Sequence, residues 1–128
     1  MIENSEFIQA IETYSQHPTK AMKRLISRTT RDNLWLYVLT LLKERDYFAY
    51  ELRGAIHERF GVEMASVTAY VLLYKLRRDR LVQLSAERRE GKRPTRKYYK
   101  ITDLGLQTLI EAKKYLRLLT KTLNDLPI

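Results

Sequence analysis

Cysteine is absent from the 128-residue sequence, which excludes disulfide bonds, thiolate metal sites and a catalytic thiol. The two histidines, His17 and His57, have no carboxylates at ligand spacing, so we expect neither a metal ion nor another cofactor. Glycine is scarce, and the sequence has no glycine-rich phosphate loop, no serine-nucleophile elbow and no zinc-protease motif. We therefore expect a protein that is not an enzyme.

A long hydrophobic run is also missing. The longest apolar stretch, from Leu34 to Leu42, is far shorter than the roughly 20 residues that a membrane-spanning helix requires. The first residues carry acidic side chains instead of the basic start of a signal peptide. We expect a cytoplasmic protein without membrane contact, folded as one compact unit.

Positive charge is plentiful, and it is concentrated in one quarter of the chain. Residues 70–100 hold 11 basic and 3 acidic side chains, a net charge of +8 out of the total of +9. Residues 1–69 hold 9 side chains of each sign. Such a block indicates an anionic partner, although a solvated basic surface would have the same composition.

The first part of the chain has helical periodicity. We predict one helix that ends before Pro18, a second over residues 19–27, and a third over residues 33–43 with Asp32 as its N-cap. The third helix is apolar almost all round, which predicts that it is buried. Its aromatic residues Trp35 and Tyr37 are then expected to be core residues.

Two further helices have the outline of a helix-turn-helix. The first is predicted over residues 47–60 and ends at Gly61, which suits a left-handed C-terminal position. The second is predicted to begin at Ser66 as N-cap and to run to about residue 79. The core-facing stripes predicted for the pair are Leu52, Ile56 and Phe60, then Tyr70, Leu73 and Leu76.

Beyond residue 80 the period changes to that of strands. Residues 81–87 and 95–102 are rich in branched and aromatic residues, and the segment between them contains glycine, proline and several basic side chains. This pattern predicts a two-stranded hairpin with a basic tip. Thr102 is the predicted N-cap of a last helix, whose leucine-rich seam pairs with a second copy or packs on its own domain.

The order of these elements predicts a mostly α protein with a small β-hairpin wing, of the α+β class. It is a winged helix-turn-helix followed by a long C-terminal helix. The expected parts are an N-terminal helical extension over residues 1–30, the winged helix-turn-helix over residues 31–102, and a dimerisation helix over residues 103–128.

Two segments of the sequence carry a family resemblance. They read AYELRGAIHERFGVEMASVTAYVLLYKLRRDRLV and, at residues 91–105, GKRPTRKYYKITDLG. From about Leu34 to Leu123 the chain resembles the PadR family of transcriptional regulators. The matching wing residues are Gly91, Arg93, Pro94, Arg96, Lys97, Tyr98, Tyr99, Ile101, Thr102 and Gly105.

The departures from the family pattern surround the predicted recognition helix. Ser66 and Val67 replace a frequent Pro-Gly, Val71 replaces a common proline, and Arg80 replaces a glycine before Leu81. Ala49 likewise stands where the family usually has glycine. Because several of these positions would face the bases, the target sequence cannot be transferred from relatives.

The resemblance implies a homodimeric repressor that binds double-stranded DNA. In that family the C-terminal helix pairs with its mate, and some members respond to small phenolic or drug-like effectors near the dimer interface. By the same resemblance, the alternative to core packing for Trp35 and Tyr37 is stacking against such an effector. The expected interface residues are Leu109, Ala112, Leu116, Leu119 and Leu123.

The expected DNA contacts fall on the recognition helix and the wing. Tyr70 is equally compatible with core packing, since it lies on the predicted inner stripe. The remaining alternatives are a sequence-tolerant DNA-packaging protein and a winged helix that binds another protein. The candidate DNA-binding residues are Ser66, Val67, Thr68, Tyr70, Val71, Tyr74, Lys75 and Arg78 on the helix, and Arg88, Arg89, Lys92, Arg93 and Arg96 on the wing.

Overall fold

The computed structural model describes residues 5–127 and confirms a mostly helical fold with a small antiparallel sheet. The helices are α1 (Ser5–Ser15), α2 (Lys20–Thr29), a 3-10 turn (Arg31–Asn33), α3 (Leu34–Glu44), α4 (Ala49–Phe60), α5 (Ser66–Arg78) and α6 (Asp103–Asp125). The strands are β1 (Tyr47–Phe48), β2 (Val82–Arg88) and β3 (Arg96–Ile101).

The core is built around α3, as its apolar sequence predicts. Val38, Leu39 and Leu41 of this helix are completely buried. The helix packs against α4, α6 and β3, so it has apolar neighbours on several sides. A helix that is apolar almost all round needs this central position, because any exposed side would leave leucines in water.

The sheet contains a third strand that was not expected from the sequence. Tyr47 and Phe48 were predicted to begin a helix, but they form β1 and pair with Tyr99 and Tyr98 of β3. The prediction was wrong at these two residues because their backbone groups find partners far along the chain, and Tyr47 is almost fully buried there. The predicted hairpin of β2 and β3 is confirmed, with an irregularity between Leu84 and Ala86.

Two predicted helix ends are confirmed. Gly61 follows α4 in the left-handed region, with φ 70, and its N–H donates to the carbonyl of His57 at 2.9 Å. Thr102 caps α6, where its hydroxyl oxygen accepts a hydrogen bond from the N–H of Gly105 at 2.9 Å. Both ends depend on a few neighbouring residues, so a short stretch of sequence is sufficient to predict them.

Two predicted N-caps are wrong. Asp32 does not cap α3, because its carboxylate pairs with the Arg28 guanidinium and Asn33 occupies the cap position. Ser66 is the first residue of α5 and not its N-cap, which is Ala65. Neither Asn33 nor Ala65 makes a side-chain capping bond.

The N-terminal helices are joined to the core through aromatic contacts. The rings of Phe7 in α1 and Tyr37 in α3 stack with centroids 6.4 Å apart. The hydroxyl of Tyr37 donates to the carbonyl of Thr29 at 2.6 Å, and burial raises the pKa of Tyr37. Trp35 packs partly buried against the core and donates from its indole nitrogen to Asn33 at 3.1 Å, which accounts for it without a ligand.

The C-terminal helix begins on the core and ends away from it. Leu109 is only 1% exposed inside its own chain. It was expected at a dimer interface, and this is corrected because a side chain so buried has no surface for a second copy. Ala112 is half-buried, whereas Leu116, Leu119 and Leu123 are exposed. No helix within residues 5–127 is long and apolar enough to span a membrane.

Candidate nucleic-acid interface

Helix α5 turns a broad face towards solvent. Its buried residues are Ala69, Leu73 and Leu76, so the core position is Ala69 and not Tyr70 as predicted. Tyr70 is 61% exposed, which places it among the candidate contact residues and removes it from the core stripe. Exposed with it are Ser66, Val67, Thr68, Val71, Tyr74, Lys75 and Arg78.

The outward face of α5 carries exposed valines and tyrosines. Val67 is 73% exposed and Tyr74 is 67% exposed, although either could be buried at little cost in a core. Large apolar side chains clustered on one surface commonly mark a binding site. On a helix framed by cations, methyl and ring groups are suited to contact with bases, where the thymine methyl is an apolar target.

The wing holds two of its arginines on aromatic rings. The guanidinium of Arg96 lies 4.7 Å from the ring centroid of Phe48, and that of Arg88 lies 5.0 Å from the centroid of Tyr98. The two rings meet edge to face at 5.3 Å. Arg88 and Arg96 are also opposite each other in the β2–β3 ladder. Stacking of this kind restricts the arginines while leaving their N–H groups available.

The two tyrosines of the wing motif have different roles. Tyr99, together with Ile101, packs against the core. Tyr98 points to the opposite face of β3, where it meets Phe48 and Arg88. The two-residue alternation of a strand could have predicted this difference.

A cleft of about 530 Å³ joins the wing to the helix-turn-helix. Tyr70 of α5 lines it from one side, and Arg93 and Arg96 line it from the wing. Phe48 and Tyr50 form the part between them. Tyr50 was not among the candidate contact residues, although it is 66% exposed and belongs to the family-like segment. The cleft makes α5 and the wing parts of one surface.

Cations of the wing keep their charge unneutralised. Elsewhere in the chain, Arg45 pairs with Glu51 at 3.2 Å and Arg59 pairs with Glu44 at 2.8 Å. Across residues 5–127, by contrast, no carboxylate lies within ion-pair distance of a wing cation. The wing cations without such a partner are Arg88, Arg89, Lys92, Arg93, Arg96, Lys97 and Lys100. Their combined field would attract a polyanion.

A family model described as the transcriptional regulator PadR-like family matches residues 38–111, more than half of the chain. The chain belongs to this family. Because the family consists of transcriptional regulators, the expectation that the protein is not an enzyme is confirmed. In the part of the chain that the structure describes, no three His, Asp or Glu side chains cluster in a way that could hold a metal ion.

Solved structures of PadR-like proteins share the fold. A PadR family regulator from Eggerthella lenta DSM 2243 is 25% identical, with a TM-score of 0.69, over 81% of this chain and 89% of that one. A PadR-like regulator from Bacillus cereus strain ATCC 14579 is also 25% identical, with a TM-score of 0.61, over 74% and 91%. Bacillus subtilis PadR, solved in complex with operator DNA, is 23% identical, with a TM-score of 0.57, over 62% and 45%. None of the curated proteins compared with the chain matches it.

Proposed function

We propose that this PadR-like regulator is a homodimeric repressor that binds a two-fold symmetric site on double-stranded DNA. The observation that supports it best is the single surface formed by α5, the cleft and the wing, with exposed side chains and unneutralised cations. The structural neighbour from Bacillus subtilis, solved with operator DNA, has the same fold. The unneutralised cations on the wing side of the cleft favour an anionic partner.

In this proposal α5 enters the major groove. The first residues of a recognition helix lie nearest the base edges, which assigns base contacts to Ser66, Val67 and Thr68. The Thr68 side chain has a hydroxyl for hydrogen bonding and a methyl for a thymine. Lys75, two turns on, can meet a guanine or a phosphate. Val71, Tyr74 and Arg78 complete the exposed face.

The wing contacts the flanking backbone or the minor groove. Phosphate contacts fix register and orientation, while an arginine in a narrow A·T-rich minor groove adds readout of shape. Arg88 and Arg96, which rest on aromatic rings, are suited to fixed contacts. Arg89, Lys92 and Arg93 lie nearer the tip of the hairpin and are exposed.

Pairing of two copies through α6 would give the site its symmetry. Leu116, Leu119 and Leu123 continue the seam beyond the core and are exposed in the single chain. Two recognition helices in successive major grooves would be about 34–36 Å apart. A palindromic site with half-sites one helical turn apart follows from this arrangement.

Selection of bound duplexes from a random pool tests the proposal, followed by titration of the selected duplex with salt. We expect a motif with two-fold symmetry. If a dimer neutralises about 6–10 phosphates, affinity should fall about 10³–10⁵-fold between 50 and 200 mM salt. Equal affinity for selected and random duplexes would indicate a packaging protein instead. Failure to retain any duplex at physiological salt would favour a protein-binding module.

Substitutions separate positioning contacts from reading contacts. Replacing Arg93 and Arg96 by alanine should weaken all duplexes by a similar factor, because phosphate contacts carry no sequence information. Thr68→Ala or Lys75→Ala should instead change which sequences are preferred, seen by repeating the selection. Lys43→Ala, which removes a cation from the last turn of α3, is the control and should change neither result.

A further inference from the structure

A second set of cations lies outside the segment that matches the PadR-like family. Between residues 19 and 32 the sequence has five basic residues and one acid. Lys23 and Arg24 are adjacent and the other intervals are three or four residues, so in α2 and the turn after it the basic residues follow one side of a helix. We call them the basic stripe: Lys20, Lys23, Arg24, Arg28 and Arg31.

The stripe borders the turn of the helix-turn-helix. Lys23, Ser27 and Arg31 line one side of a cavity of about 460 Å³, and Gly61 and Glu63 of the turn line the other. Arg31 donates to the hydroxyl of Ser27 at 3.3 Å, which keeps it in line with the stripe. Lys23 of α2 and Arg31 of the following turn therefore lie across this cavity from the segment that leads into the recognition helix.

Arg31 also lies across a cavity from the recognition helix. A second cavity, of about 290 Å³, is lined by Arg31 and Trp35 together with Thr68 and Lys75 of α5. At 100° per residue, Thr68 and Lys75 lie about 140–160° around α5 from Tyr70, which faces the wing. The stripe and the wing consequently flank opposite sides of α5.

Most of the stripe keeps its charge available. Arg28 pairs with Asp32. Within the described residues 5–127, Lys20, Lys23 and Arg24 have no carboxylate at ion-pair distance, and all three are exposed. Residues 1–69 have no net charge, because nine acidic residues balance the nine basic ones. Most of these acids lie outside residues 19–32, so the sum does not show the local excess of positive charge.

We propose that the basic stripe binds phosphates of the DNA strand on the side of the major groove opposite the wing. This inference rests on the proposed function, since it requires α5 to occupy the groove. From Lys20 to Arg28 the stripe extends about 12 Å along the helix axis. With roughly 3.4 Å of axial rise per phosphate on one strand, it covers about three phosphates.

The test is a variant with Lys20→Gln, Lys23→Gln and Arg24→Gln, compared by fluorescence anisotropy on the selected duplex over a range of salt. Each lost phosphate contact should reduce the slope of log K against log salt by about 0.9. Two or three contacts per protomer give a loss of about 4–5 in the slope of a dimer. A variant with Lys20→Arg, Lys23→Arg and Arg24→Lys should keep the wild-type slope.

A matched control removes two lysines and one arginine from other surfaces: Lys43→Gln, Lys114→Gln and Arg117→Gln. It should keep the wild-type slope, and thermal melting of both variants should match the wild type because the side chains are exposed. If the stripe variant and the control have the same slope, the inference is overturned while the proposed function stands. If the wild type itself shows no salt-dependent duplex binding, the proposed function fails and the inference fails with it.

Discussion

Arg80 is a single residue held in a conformation that its side chain disfavours. It follows α5 with φ 65, a region that glycine adopts at little cost. The N–H of Leu81 donates to the carbonyl of Leu76 at 2.9 Å, which is the hydrogen bond of a helix end that reverses direction. The hydroxyl of Thr102 also donates to the carbonyl of Arg80, at 2.6 Å. These bonds impose the backbone shape, and the family's usual glycine would suit it better.

Arg80→Gly should therefore stabilise the fold. We expect the free energy of unfolding in urea to rise by about 1 kcal/mol, because a left-handed conformation costs roughly 1–2 kcal/mol for a residue with a Cβ. Arg80→Ala removes the same charge but keeps the Cβ, so it should give no comparable gain. Equal stability of the two variants would show that the backbone of Arg80 carries no such cost.

At the scale of elements, α6 approaches the sheet so closely that only glycine fits at position 105. A Cβ there would overlap the carbonyl oxygen of Leu81 and lie 2.8 Å from Cγ1 of Ile101. Gly54, also inside a helix, is exposed and has nothing within 4 Å of an added Cβ. The two glycines thus separate the effect of packing from that of helix propensity.

Gly105→Ala and Gly54→Ala should have opposite effects on thermal unfolding. Alanine favours a helix by about 0.5–1 kcal/mol over glycine, and we expect Gly54→Ala to gain about that much. Gly105→Ala should lose about 2–3 kcal/mol, since backbone must shift to relieve the overlap. A Gly105→Ala protein as stable as the wild type would mean that α6 is not seated on the sheet as described.

Elements fixed by local chemistry could be predicted from the sequence, and those fixed by distant partners could not. The end of α4 at Gly61 and the cap at Thr102 each depend on a few neighbouring residues. Strand β1 depends on Tyr99, which lies 52 positions beyond its partner Tyr47. The residues near Tyr47 therefore indicate only the start of a helix. The sequence does not distinguish Ala69 from Tyr70 as the core residue, because the two lie four and three positions before Leu73.

The same limit applies to the candidate site. Spacing and composition were sufficient to indicate the exposed residues of α5 and the basic hairpin. They could not show that Phe48 supports Arg96, because those residues are brought together only when β1 joins β3. Spacing and composition also could not distinguish Leu109, which is buried in the core, from Leu116, which is exposed.

For the molecule as a whole, the proposed dimer makes a direct prediction. Leu119→Lys should convert a dimer to monomers, because a charge would be placed in the apolar seam of α6. Sedimentation velocity measures the change, and affinity for the full symmetric site should fall much more than affinity for a half-site. Leu118→Lys introduces the same charge about 100° around the helix from Leu119 and should leave the dimer intact. A Leu119→Lys protein that stays dimeric would place the interface elsewhere.

The short strand β1 has a consequence for how the protein meets its target. It connects directly to α4 and is bonded to β3, so the hairpin is tied to the helical body before any nucleic acid arrives. The entropic cost of aligning the wing with α5 is therefore met during folding, so association with a duplex would carry little of this cost. In the proposed function, a duplex that does not fit this fixed arrangement is rejected through its faster dissociation.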